Sequence, residues 1–134
     1  MEGDVYVSCS LAGAQMTYKP QDFKKLGLIP DLGCKLGKQI YWEVDNGTEG
    51  EEKIASKCRR YIQLSNYDSP FYVIFDASTV ARANSLLAWL TKFERRNQFL
   101  VTLHEYVKAS PLLEGYVSPL NPSEFLFLDN IDSF

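Results

Sequence analysis

Five consecutive apolar residues, Phe71 to Phe75, restrict the possible folds of this chain more than any other feature of its sequence. A strand with one face in water alternates apolar and polar residues, whereas an uninterrupted apolar run is typical of a strand covered on both faces. The run therefore predicts a buried strand, packed between other elements of secondary structure.

A helical pattern and a second buried strand follow this run. Ser78 or Thr79 can cap the helix at its N-terminus. Apolar residues at helical spacing predict that its buried face consists of Val80, Ala83, Leu87, Leu90 and Phe93. The segment Asn97 to Tyr106 then predicts another buried strand. Two strands joined by a helix form a βαβ unit, so we expect the strands to be parallel and the connection to be right-handed.

The N-terminal part of the chain is predicted to contain a strand and then a short helix. Val5 to Leu11 has the composition of a strand. Tyr18 to Leu28 has Pro20 where a first helical turn would begin and Gly27 where the helix would end.

Two strands that flank Gly37, followed by a helix, are predicted next. The runs Ile29 to Leu36 and Lys38 to Asp45 are rich in β-forming residues. Thr48 can cap the following helix, whose apolar face is predicted to consist of Ile54, Cys58, Tyr61 and Ile62. Glu114 to Leu128 has the pattern of two edge strands joined by a turn. Together these elements indicate a mixed sheet with helices, of the α/β or α+β class.

Length and composition indicate one globular domain, residues 1–134, that does not cross a membrane. A chain of 134 residues can bury its own core, and no apolar run approaches the length of a membrane span. The net charge of −3 argues against a domain held to nucleic acid by bulk charge, although two clusters of Lys and Arg allow a local basic face. The position of the first predicted strand near the start suggests the later part of a longer protein.

The three cysteines, Cys9, Cys34 and Cys58, are odd in number and far apart, and the chain has no CxxC motif. This pattern predicts neither a disulfide framework nor a zinc site. Because reduced thiols are typical of cytoplasmic proteins, we expect a cytoplasmic location.

Three acidic residues lie on the two strands around Gly37, where the hydrophobic pattern predicts half-buried positions. Glu43 and Asp45 are two residues apart and therefore share one face of their strand. A two-residue connection between the strands would oppose Asp31 to Val44. A connection of odd length, or a bulge, would oppose Asp31 to Glu43 instead. Only the second arrangement brings the three carboxylates together.

A shared divalent metal would explain such an acidic cluster, because carboxylates on one face repel one another unless a cation lies between them. Oxygen ligands favour Mg²⁺ or Mn²⁺ over zinc, so the predicted metal ligands are Asp31, Glu43 and Asp45. A nearby lysine could orient a water nucleophile or neutralise a phosphate. Lys57 lies at the border of the apolar face of the following helix and can extend toward the sheet.

The same residues also have an interpretation without a metal. Asp31 can end a strand, and Asp45 can belong to a turn with the following Asn and Gly. Lys57 can lie on a solvent-exposed helix face. His104, the only histidine, has no Ser or Cys partner implied by its spacing, so no catalytic base is predicted there. Exposure on a helix and contact with phosphate are both open for Arg82, Arg95 and Arg96.

The motifs Pro30-Asp31, Glu43 to Glu49 and Lys57-xxx-Tyr61, in this order, resemble the PD … ExDxGT … K…Y pattern of the replication-relaxation family. Members of that family are encoded on bacterial plasmids and other mobile elements, and they are similar to the PD-(D/E)XK, or restriction-endonuclease-like, nucleases. The resemblance covers roughly Ile29 to Leu128. It implies a restriction-endonuclease-like α/β core, in which helices flank a mixed central β-sheet.

The resemblance also implies a nucleic-acid-associated function in plasmid replication or mobilisation, with DNA or a replication protein as the partner. An active member would be a Mg²⁺-dependent DNA hydrolase. Asp31 and Glu43 would ligate the metal with help from Asp45, and Lys57 would orient the attacking water. Because the residue two positions after Glu43 is not a lysine, an inactive nuclease-like module for protein interaction or regulation is an alternative. A third interpretation is an unrelated α/β domain with an apolar pocket for a small ligand.

Overall fold

Seven strands form one mixed sheet within the part of the chain described by the computed structural model, residues 2–11, 13, 15–17, 27–36, 38–65, 71–93, 98–109, 116–118 and 121–126. The strands are β1 (Gln15–Met16), β2 (Leu32–Leu36), β3 (Lys38–Asp45), β4 (Phe71–Ala77), β5 (Phe99–Leu103), β6 (Tyr116–Ser118) and β7 (Asn121–Leu126). The helices of these residues are α1 (Glu2–Leu11), α2 (Glu51–Leu64), α3 (Val80–Leu90) and α4 (His104–Ala109).

The strands lie side by side in the order in which they occur along the chain. β3, β4 and β5 are parallel, and all other neighbouring pairs are antiparallel. α2 connects β3 to β4, and α3 connects β4 to β5, so each parallel pair is joined through a helix. The prediction of an α/β protein with a mixed sheet and flanking helices is confirmed, as is the parallel pairing of the two strands predicted to be buried.

The two faces of the sheet carry separate cores. The face under α2 and α3 includes Tyr41, Phe71, Val73, Phe75 and Phe99. The face under α1 and α4 includes Cys34, Ile40, Trp42, Ile74 and Leu100. Every residue of β4 is buried, because successive side chains of this central strand enter alternate cores. The apolar run therefore has the two-sided burial that it predicted, and Trp42 is fully buried on the face under α1 and α4.

The strand predicted at Val5 to Leu11 is wrong, because this segment belongs to helix α1. Val5 and Cys9 are one helical turn apart and are buried against the sheet, whereas Tyr6 and Val7 are more than half exposed. Packing at helical spacing thus overrides the β propensity of the local sequence. The short helix predicted from Tyr18 lies outside the described residues, except for its last two positions.

The predicted caps of the two longer helices have different outcomes. α2 begins at Glu51 with Gly50 as its N-cap, so the predicted cap at Thr48 is wrong. The Thr48 hydroxyl instead donates to Oδ1 of Asn46, within the loop. Thr79 does cap α3, because its Oγ1 accepts a hydrogen bond from the Arg82 N–H.

The buried faces of these helices follow the predicted spacing with local differences. On α2, Ile54, Cys58 and Tyr61 are buried as expected. On α3, Leu86 is buried while Leu87 is only partly buried, and Val80 is 59% exposed. The Val80 side chain, in the first turn of α3, therefore does not reach the core.

The C-terminal elements confirm one further prediction and correct two others. β6 and β7 form the expected antiparallel pair, but only β7 is an edge strand, because β6 also pairs with β5. β5 is shorter than predicted, since it ends at Leu103 and His104 begins α4. Among the described residues, none of the helices combines the length and the hydrophobicity of a membrane span.

Candidate functional site

The pairing of β2 with β3 decides how the acidic residues face one another. Leu36 pairs with Lys38 and Leu32 with Trp42, so the connection at Gly37 has odd length. Continued by one residue, this register places Asp31 opposite Glu43. The connection of odd length that a shared acidic site requires is therefore present.

Asp31 lies at the bend just before β2 and is bound to β3 twice. Its backbone N–H donates to the Trp42 carbonyl oxygen at 3.0 Å. Its Oδ2 accepts a hydrogen bond of 2.7 Å from the Val44 N–H. The Asp31 carboxylate is thus fixed at β3 by a backbone donor, in a position from which its charge acts on Glu43.

Glu43 is the buried centre of the site, with only 3% of its surface exposed. The Tyr61 hydroxyl donates to Oε1 of Glu43 at 2.6 Å. The Lys57 ammonium donates to Oε2 at 3.3 Å. Because Lys57 and Tyr61 are one turn apart on α2, the helix presents both donors to the same carboxylate.

The pKa of Glu43 is raised from 4.5 to about 7. Burial is the largest cause, because the charged form loses its hydration, and the nearby charge of Asp31 adds to the rise. The charge of Lys57 and the hydrogen bond from Tyr61 oppose it. Glu43 therefore changes its charge near neutral pH, where an ordinary glutamate is fully ionised.

Lys57 lies between two acids. Its Nζ is 2.6 Å from Oε1 of Glu49, closer than it is to Glu43. Burial alone would lower the pKa of Lys57, but the charges and hydrogen bonds of the two carboxylates outweigh burial and raise it. Lys57 is thus a permanent cation, and it is half-buried at the sheet instead of fully exposed.

Asp45 has a different partner from the other two predicted ligands. Arg82 binds its carboxylate in a bidentate pair, with Nε 2.5 Å from Oδ2 and Nη2 2.8 Å from Oδ1. Nη2 also donates to the backbone oxygen of Glu49 at 2.5 Å, which fixes the loop before α2. The guanidinium lies 5.0 Å from the ring centroid of Trp89. Arg82 is therefore a mostly buried partner of Asp45, which contradicts the solvent-exposed position considered for it.

The described residues include no group of three or more His, Cys, Asp or Glu side chains arranged to hold a metal ion. Asp45 does not complete a three-carboxylate set with Asp31 and Glu43. We use the name Glu43 cluster for the residues that are linked here: Asp31, Glu43, Glu49, Lys57 and Tyr61.

Two members of the Glu43 cluster were not recognised as polar site residues from the sequence. Tyr61 was expected to pack in the core, and it does so while its hydroxyl binds Glu43. Glu49 ends the motif that begins at Glu43, and the sequence predicts no role for its side chain. The spacing of Lys57 and Tyr61 on one helical face was the available signal, since both side chains must meet the acid below that face. Arg95 and Arg96 lie outside the described residues.

Comparison of the chain with protein-family models, with curated proteins and with solved structures found no match.

Proposed function

We propose that this chain is a nucleic-acid-associated domain with a restriction-endonuclease-like core, from a replication or mobilisation protein of a plasmid or other mobile element. The observation that carries the proposal is the β2–β3 register, which places Asp31 at Glu43 with the Lys57 ammonium 3.3 Å from the same glutamate. Two acids from adjacent strands and a lysine are the parts of the motif to which the sequence is similar.

The donor set suits one hard divalent cation, Mg²⁺ or Mn²⁺, held by Asp31 and Glu43. Carboxylate oxygens are the ligands these ions prefer, and the buried carboxylate of Glu43 lies within the influence of the Asp31 charge. Such a cation supplies Lewis-acid stabilisation to a phosphodiester. Because the pKa of Glu43 is about 7, a proton competes for the same oxygens below neutral pH.

The chain's own residues would divide the remaining work. Tyr61 donates to Oε1 of Glu43 and fixes the orientation of that carboxylate. Lys57 stays protonated, so it can neutralise a phosphate oxygen or orient a water molecule, but it does not act as a base. Asp45, bound by Arg82, positions the loop before α2.

A second function, an inactive nuclease-like module that binds a replication protein, is favoured by one specific observation. The charged groups of the cluster already satisfy one another, since Lys57 binds both Glu43 and Glu49 and Arg82 binds Asp45. A closed network of this kind stabilises a fold without requiring a substrate.

Nicking of supercoiled plasmid in the presence of Mg²⁺ or Mn²⁺ tests the enzymatic form of the proposal. We expect activity in the wild-type protein and in the exposed-surface control Glu52→Gln, and its loss in Glu43→Gln. No nicking by the wild-type protein with either metal would contradict the hydrolase and leave the inactive module. Equal nicking by Glu43→Gln would show that the activity does not come from this site.

A further inference from the structure

A second polar cluster lies on the opposite face of the sheet from the Glu43 cluster. Asp76 on β4 pairs with Val44 on one side and Thr102 on the other, so its side chain points toward α1 and α4. Nδ1 of His104 is 2.5 Å from Oδ2 of Asp76. Nε2 of the same ring is 2.9 Å from Oδ2 of Asp4, in the first turn of α1. One imidazole thus links the N-terminal helix to the central strand.

These contacts fix the number of protons in the cluster. Ionised carboxylates only accept hydrogen bonds, and a neutral imidazole has one donor nitrogen and one acceptor nitrogen. Two carboxylates can therefore both bind the ring only if the cluster holds one proton more than a neutral histidine with two ionised aspartates. That proton makes the ring an imidazolium, or it lies on Asp76 and is donated to Nδ1.

Burial decides which contact breaks when this proton leaves. Asp76 is fully buried, and its Oδ1 has no hydrogen-bond partner among the described residues. An ionised Asp76 without the His104 hydrogen bond would have no compensation at either oxygen, which is costly. Asp4 has 48% of its side chain exposed and can be hydrated instead. The remaining ring proton must therefore stay on Nδ1, and the lone pair of Nε2 then faces the Asp4 carboxylate.

We propose that His104 is a proton-operated latch, which holds the first turn of α1 against the sheet while the cluster is protonated and releases it on deprotonation. Release is local, because Val5 and Cys9 keep the rest of α1 packed in the core. The latch stands apart from the proposed function, since it uses the other face of the sheet and none of the residues of the Glu43 cluster.

The pKa shifts of Asp76 and Asp4 are consistent with release of the first turn on deprotonation. Burial raises the pKa of Asp76 to about 6, in spite of the lowering effect of His104, so Asp76 retains a proton to higher pH than an ordinary aspartate. The hydrogen bond to His104 is the largest cause of the lowered pKa of Asp4. The charges of His104 and of Lys108 on α4 also act on Asp4. Both favour its ionised form, which is the acceptor that the latch requires.

Amide hydrogen exchange of α1 between about pH 5 and pH 9, corrected for intrinsic rates, tests the latch. In the wild-type protein we expect the backbone N–H groups of Tyr6, Val7 and Ser8, which donate to the carbonyl oxygens of the first turn of α1, to lose protection by about tenfold as pH rises. Asp4→Asn should abolish this dependence, because an amide can donate to the Nε2 lone pair as well as accept from its N–H. Glu105→Gln, an exposed change beside His104, should behave like the wild-type protein.

Nitrogen NMR of the His104 ring gives a second reading that does not depend on helix stability. The expected end state at high pH is a ring with its proton on Nδ1 alone. A proton on Nε2 in that state would overturn the proposal. So would α1 protection that is independent of pH in the wild-type protein, or a pH dependence in Asp4→Asn equal to that of the wild type.

Discussion

Lys57 on α2 and Glu43 on β3 form an ion pair of 3.3 Å at the boundary between helix and sheet. Glu43 is buried, whereas 28% of the Lys57 side chain is exposed. The pair therefore joins a carboxylate that has lost its hydration to a cation that can still reach a ligand from outside.

Replacement of Glu43 by Gln should change how stability depends on pH. Since the folded pKa of Glu43 is raised from 4.5 to about 7, the folded state binds more protons than the unfolded state in that window. Its contribution to the free energy of unfolding is therefore lost as pH rises from 4.5 to about 7. Over this whole pH range, the contribution of Glu43 to the free energy of unfolding should fall by on the order of 3 kcal/mol. Urea unfolding of wild type and Glu43→Gln across this range measures it, and a constant difference between the two proteins would contradict the raised pKa.

Replacement of Lys57 by Met should destabilise the protein more at high pH than at low pH. Without the ammonium, an ionised Glu43 is left buried beside Asp31, at a cost of about 1–3 kcal/mol. A protonated Glu43 does not need the cation, so the cost should shrink below neutral pH. Lys53→Met, an exposed lysine one turn earlier, is the matched control and should be nearly neutral. A cost of Lys57→Met that is the same at both ends of the pH range would contradict the pairing.

Replacement of Arg82 by Ala should lower the free energy of unfolding by about 3 kcal/mol, because it leaves the buried carboxylate of Asp45 without its bidentate partner. Arg82→Lys should recover only part of this loss, since an ammonium cannot bind both oxygens in the same way. Lys92→Ala removes an exposed ion pair with Glu51 and should cost less than about 1 kcal/mol. Equal costs for the two alanine variants in denaturant unfolding would show that the Asp45 pair does not stabilise the fold.

Replacement of Thr79 by Ala should cost about 1 kcal/mol, because its hydroxyl accepts the Arg82 N–H at the start of α3. Thr48→Ala changes the same type of residue just before α2, where the hydroxyl binds Asn46 in the loop and caps no helix. Its effect should stay within about 0.5 kcal/mol. Thermal unfolding of the two variants separates them, and a larger loss for Thr48→Ala would contradict the cap assignment.

The central strand β4 could be predicted because burial on both faces requires consecutive apolar residues, and such a run is visible in the sequence. Phe71 to Phe75 needs no partner to be recognised, and the helix that follows has a strong N-cap in Thr79. α1 could not be predicted from its own residues, since a run of Val and Tyr favours a strand until packing at helical spacing selects otherwise. Local propensity and tertiary packing disagree there, and packing decides.

The candidate site was only partly predictable for a different reason. Alternation along β3 places Glu43 and Asp45 on one face, but the length of the connection at Gly37, which decides the position of Asp31, is not visible in the sequence. The partner of Asp45 is also hidden. Arg82 is 37 residues away and meets Asp45 only because α3 crosses back over the parallel strands.

Calorimetric titration of Mn²⁺ into wild-type protein and Asp31→Asn is the most direct test of the proposed site. Asparagine can still accept the Val44 N–H, so the variant removes the charge and keeps the fold contact. We expect one ion per chain in the wild type and in Glu52→Gln, with affinity that falls below neutral pH as Glu43 binds its proton. Affinity should fall at least about tenfold in Asp31→Asn. Equal binding by Asp31→Asn, or no binding by the wild-type protein at about pH 8, where Glu43 is ionised, would contradict a divalent-cation site at Asp31 and Glu43.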